Sequence, residues 1–167
     1  MALDAYSSCL CGSGKKFKWC CAPFFDLVEK AYAQERNKQH DVALRMMLDV
    51  SRQHAKNSAV WCYLADLYML QGKFDEANTA LDEALKLDPN NAKALYLRAA
   101  YLHESERADE ALSFYRKAAD ACDPAAVQMM ADIHIGIAQC ETIRNHPFAA
   151  KAAIDVAHRC DPSSEAI

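Results

Sequence analysis

Hydrophobic positions along this chain recur with a helical period, and no stretch sustains the alternation of a half-buried strand. Between Ser58 and Asn91, the side chains of Trp61, Leu64, Ala65 and Tyr68 follow i, i+3, i+4, i+7, which places them on one face of a helix. Gly72 ends that helix in a short turn. A second stripe then returns through Phe74, Ala77, Leu81 and Ala84, whose small residues allow close approach of the first helix. Pro89, after Asp88, stops it. The phase recurs from Ala92 to Ala125, with Leu95, Ala99 and Leu102, then Ala111, Tyr115 and Ala118, then Asp123-Pro124; here Glu106 stands where glycine is favoured. An earlier unit, Phe24 to Asn57, carries Leu27, Ala31, Ala43, Met47 and Val50. A last pair follows Ala126, with a longer first helix ending near Ile143, a turn at Asn145-His146-Pro147 and a second helix over Phe148–Cys160 before Asp161-Pro162. The prediction is an all-α solenoid of helix pairs over residues 23–162, in units of about 24–57, 58–91, 92–125 and 126–162. A separate segment 1–22 precedes it and a tail 163–167 follows.

The unit Ser58–Asn91 resembles the 34-residue tetratricopeptide repeat, in which W-x2-L-(G/A)-x2-Y is followed by G-x-(F/Y)-x2-A-x3-(F/L)-x2-A and a proline. The resemblance extends from Phe24 to Pro162 and implies a right-handed superhelix of three to four repeats. The first helix of each pair lines its concave face, which in this family commonly binds an extended peptide or a helix of another protein. Transferred to this chain, that phase assigns Val28, Tyr32, Cys62, Tyr63, Asp66, Met69, Tyr96 and His103 to the groove. Tyrosine offers large contact area at low entropic cost and methionine adapts to varied partners, so a mostly apolar, mildly acidic groove is expected. The basic clamp with which some family members hold acidic chaperone tails is missing: Val28, Tyr32, Tyr63 and Leu97 occupy its positions, and Lys93 alone matches.

Segment 1–22 carries a different chemistry. Cys9, Cys11, Cys20 and Cys21 form two tight pairs around Gly12-Ser13-Gly14-Lys15-Lys16. Four thiolates complete a tetrahedral ligand set for one structural zinc ion and leave no position for a reactive water. Disulfides are the competing use of these residues. A bond between the neighbours Cys20 and Cys21 would close a strained ring, and Met1–Tyr6 shows neither the basic nor the apolar region of a secretory signal, so metal is preferred. The stretch Cys9–Cys21 resembles the SEC-C motif, the small zinc module found at the C-terminus of the bacterial preprotein translocase ATPase and in many bacterial proteins. Leu10 and Trp19 depart from its usual proline and polar residue. The resemblance implies zinc on the four cysteines. It also implies a docking surface of Lys15, Lys16, Phe17, Lys18 and Trp19 for an acidic protein.

Charge and composition narrow the function. A net charge of −4 argues against nucleic acid as the ligand, and three lysines on the zinc module are too few for tight phosphate binding. No apolar run approaches the length of a membrane span. No nucleophile with its base, phosphate loop or open metal site emerges, so no enzyme and no small-molecule substrate are expected. The expectation is a non-enzymatic, chaperone-like adaptor of the bacterial cytoplasm. Its groove would hold one protein segment and its zinc module would dock another, with a link to protein export. The alternative is a small tetratricopeptide chaperone of a secretion system, with the zinc motif serving only as a cap.

Overall fold

Each helical stripe in the sequence becomes a helix in the computed structural model, which describes residues 4–162. The eight helices among them are α1 (Phe25–Arg36), α2 (His40–Gln53), α3 (Ser58–Leu70), α4 (Phe74–Leu87), α5 (Ala92–Glu104), α6 (Ala108–Ala121), α7 (Val127–Ile143) and α8 (Pro147–Cys160). No strand is present among the described residues; a lone antiparallel bridge joins Ser8 to Lys16 in the N-terminal knuckle. The helices form four antiparallel pairs. Within each pair the odd helix packs on the even one that follows, and α1, α3, α5 and α7 also pack in succession, so they form one wall of the solenoid.

The pairs are joined by one turn used four times. Lys38, Gly72, Glu106 and Asn145 all have φ near +60 to +70°, at the second position past each odd helix. Their amides and those of the next residue bond back to the helix's last carbonyls, as in Gly72 N to Met69 O and Lys73 N to Tyr68 O, both 2.9 Å. This is the closing pattern that glycine serves best, yet three of the four turns use a side-chain residue. An L-residue in this region costs about 1–2 kcal/mol. Glu106→Gly is therefore expected to raise the melting midpoint by roughly 2–4 °C, since about 1 kcal/mol shifts a domain of this size by that much. Thermal denaturation followed by circular dichroism reads it, and a lowered midpoint would refute the strain.

The even helices start without a side-chain cap, but α3 and α5 each begin on an asparagine. Asn57 Oδ1 accepts from Ala59 N and Asn91 Oδ1 from Ala94 N, both at 3.0 Å. The two occupy the same repeat position. Asn91 is buried and its amide also donates to Ser58 Oγ at 2.8 Å, so it fastens the start of α5 to the start of α3.

Close packing of α6 on α7 depends on Gly136. A methyl carbon there would collide with the Tyr115 ring, which is buried. Nearby, the carboxylate of Glu141 is 2% exposed and accepts from Arg116 Nη2 at 2.8 Å, His146 Nδ1 at 2.9 Å and Arg144 Nη1 at 3.2 Å. Burial pushes its pKa up, but His146, Arg144 and Arg116 outweigh this and hold it below the ordinary glutamate value. The folded value being depressed, this contribution to stability is present above the unfolded value near 4.3 and is lost as pH falls through the folded one. Glu141→Gln should accordingly remove stability at neutral pH and flatten the loss below about pH 4.3. Equal acid sensitivity of the two proteins in urea titrations would contradict this.

Leu27 departs from its expected place in the first helical stripe. It is 37% exposed, and the neighbouring Val28, with Phe24 and Ala31, enters the core instead. The reason lies in the segment that precedes α1.

Candidate metal centre and inner face

Residues 4–22 fold back along the solenoid as a knuckle of tight turns, closed by a short 3-10 turn at Phe17–Trp19. Cys9 N donates to Lys15 O at 2.9 Å and Phe17 N to Ser7 O at 3.0 Å, which brings the two cysteine pairs face to face. The sulfurs of Cys9, Cys11, Cys20 and Cys21 lie within 4.8 Å of one another, and all four residues are buried. Cys11 and Cys20 are 3.4 Å apart, Cys20 and Cys21 3.8 Å. Four sulfurs bound tetrahedrally at about 2.3 Å would be about 3.8 Å apart, so the set fits a thiolate-bound metal ion. The hydroxyl of Ser13 stands 3.2 Å from Cys11 Sγ and 3.4 Å from Cys20 Sγ, close enough to hydrogen-bond both. The thiols compete for protons: hydrogen bonds with Cys20 and Cys21 pull Cys11 down, and the bond with Cys11 pushes Cys21 up. Four thiolates this close require a cation to coexist.

The knuckle is not confined to the first repeat. Its position spans the starts of all four odd helices. Phe17 meets Phe25 of α1 edge to face, with ring centroids 5.2 Å apart. The Asn57 amide, at the start of α3, donates to Cys20 O at 3.1 Å. Gly12 O accepts from Asp123 N at 3.0 Å, ahead of α7. Gly12 itself has φ of +71°, and a methyl carbon on it would stand 2.6 Å from Met129 Sδ of α7 and 3.6 Å from Ala92 Cβ of α5. The Asp123 carboxyl is held below its ordinary range by the Ala125 amide first, then by Ser8, with Lys16 adding to it. An anionic tetrathiolate centre thus lies near the positive ends of several helices, an arrangement that favours it electrostatically.

The knuckle also reaches the inner wall. Tyr63 OH lies 3.9 Å from Cys21 Sγ, and its ring meets those of Phe24 and Tyr32, each at 6.4 Å. The four cysteines share one core with Phe24, Val28, Cys62, Tyr63 and Leu97. Val28, Cys62 and Tyr63, expected to line the groove, are therefore buried and offer no free surface. Helical phase marks the inner face but does not reveal that the chain's own N-terminal segment covers it.

Further along that wall, Tyr32, Asp66, Met69, Tyr96 and His103 remain partly exposed. Tyr32 OH donates to Asp66 Oδ2 at 2.5 Å. Lys93 Nζ is 3.6 Å from the same oxygen and 4.0 Å from the centre of the Tyr63 ring. Burial, reinforced by Asp66, raises the Tyr32 pKa well above that of a free phenol, so it stays a hydrogen-bond donor. Tyr96 packs against Tyr115 at 5.9 Å and His103 Nδ1 lies 3.6 Å from Cys140 Sγ.

On the surface of the knuckle, Lys15, Lys16, Lys18 and Trp19 are exposed. Trp19 is 66% exposed and Tyr6 meets it edge to face at 6.0 Å. Lys18 Nζ sits 5.2 Å from the Tyr6 ring centre and 5.8 Å from that of Trp19. Phe17, expected in the same docking surface, is half-buried because it packs on Phe25. Tyr6 extends this exposed face, and Leu10 is also exposed; a single aromatic residue such as Tyr6, outside any helical period, carries no signal in the sequence. Asn57, Asn91 and Asp123 were also missed; the recurrence of asparagine one repeat apart could have revealed the first two.

The tetratricopeptide repeat family profile matches residues 28–77 and 64–126, together more than half of the chain. The chain belongs to the tetratricopeptide repeat family. Among solved structures, this repeat protein is similar to PilW, a widely conserved type IV pilus biogenesis factor. The TM-score is 0.74 at 18% identity, over 84% of this chain and 63% of that one. Pseudomonas aeruginosa pilF gives a TM-score of 0.71 at 16% identity, over 83% of this chain and 61% of that one. MamA gives 0.59 at 19% identity, over 83% of this chain and 76% of that one. The chain thus spans somewhat over three fifths of the pilF and PilW chains, and at these identities the likeness is one of fold. No curated protein matches the chain. The repeat match begins at residue 28, which leaves the cysteine knuckle outside it.

Proposed function

We propose that this tetratricopeptide repeat protein is a non-enzymatic adaptor of the bacterial cytoplasm, with residues 1–22 as a zinc module and residues 23–162 as a repeat domain. Zinc is the metal whose preferred tetrahedral sulfur set the four cysteines match, and as a closed site it would stabilise structure. The observation that carries the reading is the presence of two exposed surfaces of different chemistry. Lys15, Lys16, Lys18, Trp19 and Tyr6 form an exposed basic and aromatic face on the knuckle, while Asp66, Met69, Tyr96 and His103 line the uncovered part of the inner wall. The first suits an acidic protein surface, through contacts that weaken with salt. The second suits a peptide or helix laid along the wall. The resemblance of Cys9–Cys21 to the SEC-C motif supports a link to protein export.

A second reading is favoured by one observation: the knuckle packs across the starts of all the odd helices. In it the protein is a small secretion-system chaperone and the zinc motif serves only to hold the repeats.

Site-specific photo-crosslinking separates the two. A crosslinker placed at Trp19 and, separately, at Met69 should trap two different proteins in the source cell, and Lys15→Glu with Lys18→Glu should abolish the first adduct alone. Adducts at Met69 only would establish the second reading. None at either position would reject both.

A further inference from the structure

The four sulfurs are not equally shielded. Cys9, Cys11 and Cys21 are at most 1% exposed, and Cys20 is 5% exposed. Of the four, Cys20 lines an open cleft of about 450 Å³ between the knuckle and the start of α3. Lys15, Lys56 and Ser58 also line it, and Leu87 stands at its side. Cys20 is thus the sulfur that a small solute in the cleft can reach, and as a ligand of the ion it would be a thiolate, the form that reacts. Cys11 Sγ is 3.4 Å away, closer than the 3.8 Å between the sequence neighbours Cys20 and Cys21.

We propose that Cys20 is a peroxide-reactive site whose oxidation releases the knuckle. This rests on the reading that the four cysteines hold zinc. The Cys20 thiolate attacks one oxygen of a hydroperoxide such as hydrogen peroxide. The O–O bond breaks, hydroxide leaves and takes up a proton as water, and Cys20 becomes a sulfenic acid. The Cys11 thiolate then attacks the Cys20 sulfur. An S–S bond forms, the S–O bond breaks, and the second oxygen leaves as water after protonation. Two thiolates have given two electrons to one peroxide, and two of the four ligands are withdrawn from the ion. Cys20 O is held by Asn57 at the cap of α3 and Cys21 Sγ by Tyr63 within it, so rearrangement at the sulfurs acts directly on these contacts. Oxidation would thereby uncover the part of the inner wall that the knuckle occupies.

The test uses the full chain as purified. Zinc is first measured by atomic emission, hydrogen peroxide is added in excess, and release is followed with a chromogenic chelator. Non-reducing peptide mapping then locates the disulfide. The expected result is one zinc per chain, its release by peroxide, a Cys11–Cys20 linkage, and reversal by added thiol. Leu87→Trp, which narrows the cleft without touching a ligand, should slow release several-fold. Zinc retained under peroxide, release without a Cys11–Cys20 linkage, or an unchanged rate in Leu87→Trp would each overturn the proposal. Absence of zinc at the outset would instead overturn the zinc reading on which it stands.

Discussion

Removing the metal with a chelator should lower the melting midpoint of the whole helical domain by roughly 6–12 °C. That corresponds to about 3 kcal/mol at 2–4 °C per kcal/mol for a domain of this size. The reason is the shared core. Cys9, Cys11, Cys20 and Cys21 are packed together with Phe24, Val28, Tyr63, Ala94 and Leu97, which belong to three successive repeats. Without a cation the four buried sulfurs cannot remain close as thiolates, and as thiols they lose the bonds that fix the turns. Separation of the knuckle then exposes an apolar wall that no other part of the described chain covers. Cys11→Ser should reproduce the effect. The measurement is a circular dichroism melt at 222 nm with and without chelator, alongside metal content. A midpoint that stays in place after metal loss would mean that the knuckle is a separable appendage.

Tyr63→Ala should cost about 3–5 kcal/mol, the range for truncating a large buried aromatic side chain. Its ring lies between those of Phe24 and Tyr32, under Lys93 Nζ, and its hydroxyl reaches Cys21 Sγ. Truncation leaves a cavity at the joint between knuckle and repeats and removes a contact from the metal centre itself. Tyr63→Phe keeps the ring and should cost about 1 kcal/mol, the net worth of a typical hydrogen bond. Urea denaturation of the three proteins in metal-loaded form gives both numbers. If Tyr63→Ala changed stability by less than about 1 kcal/mol, the side chain would belong to a free binding surface, as helical phase alone suggests.

The contrast between these two outcomes shows how much of the site the sequence carried. The spacing of Cys9, Cys11, Cys20 and Cys21 was enough to bring four sulfurs into one set, because both pairs are local and the loop between them is short. The partner-facing roles were less legible. Tyr32, Tyr63 and Tyr96 all stand on odd helices, yet Tyr63 is buried and the other two are partly exposed. They stand at different positions of the repeat phase, and what closes over Tyr63 is the knuckle, whose Cys21 Sγ lies 3.9 Å from its hydroxyl. Phe17 and Trp19 are likewise near neighbours in one short segment. Phe17 turns onto Phe25 and Trp19 turns outward beside Tyr6.

By itself, the sequence determined the helix pairs, their order and the cysteine set. The 3.6-residue stripes, the turn after each odd helix and the paired cysteines all act over a few residues, within reach of local pattern. Only the tertiary structure decided where the knuckle lies. Its contacts with Asn57, Tyr63, Ala92, Asp123 and Met129 join positions far apart in the chain. A segment of turns has no hydrophobic period to announce its docking face. The face it selects exists only once four odd helices are side by side and their starts form a common edge.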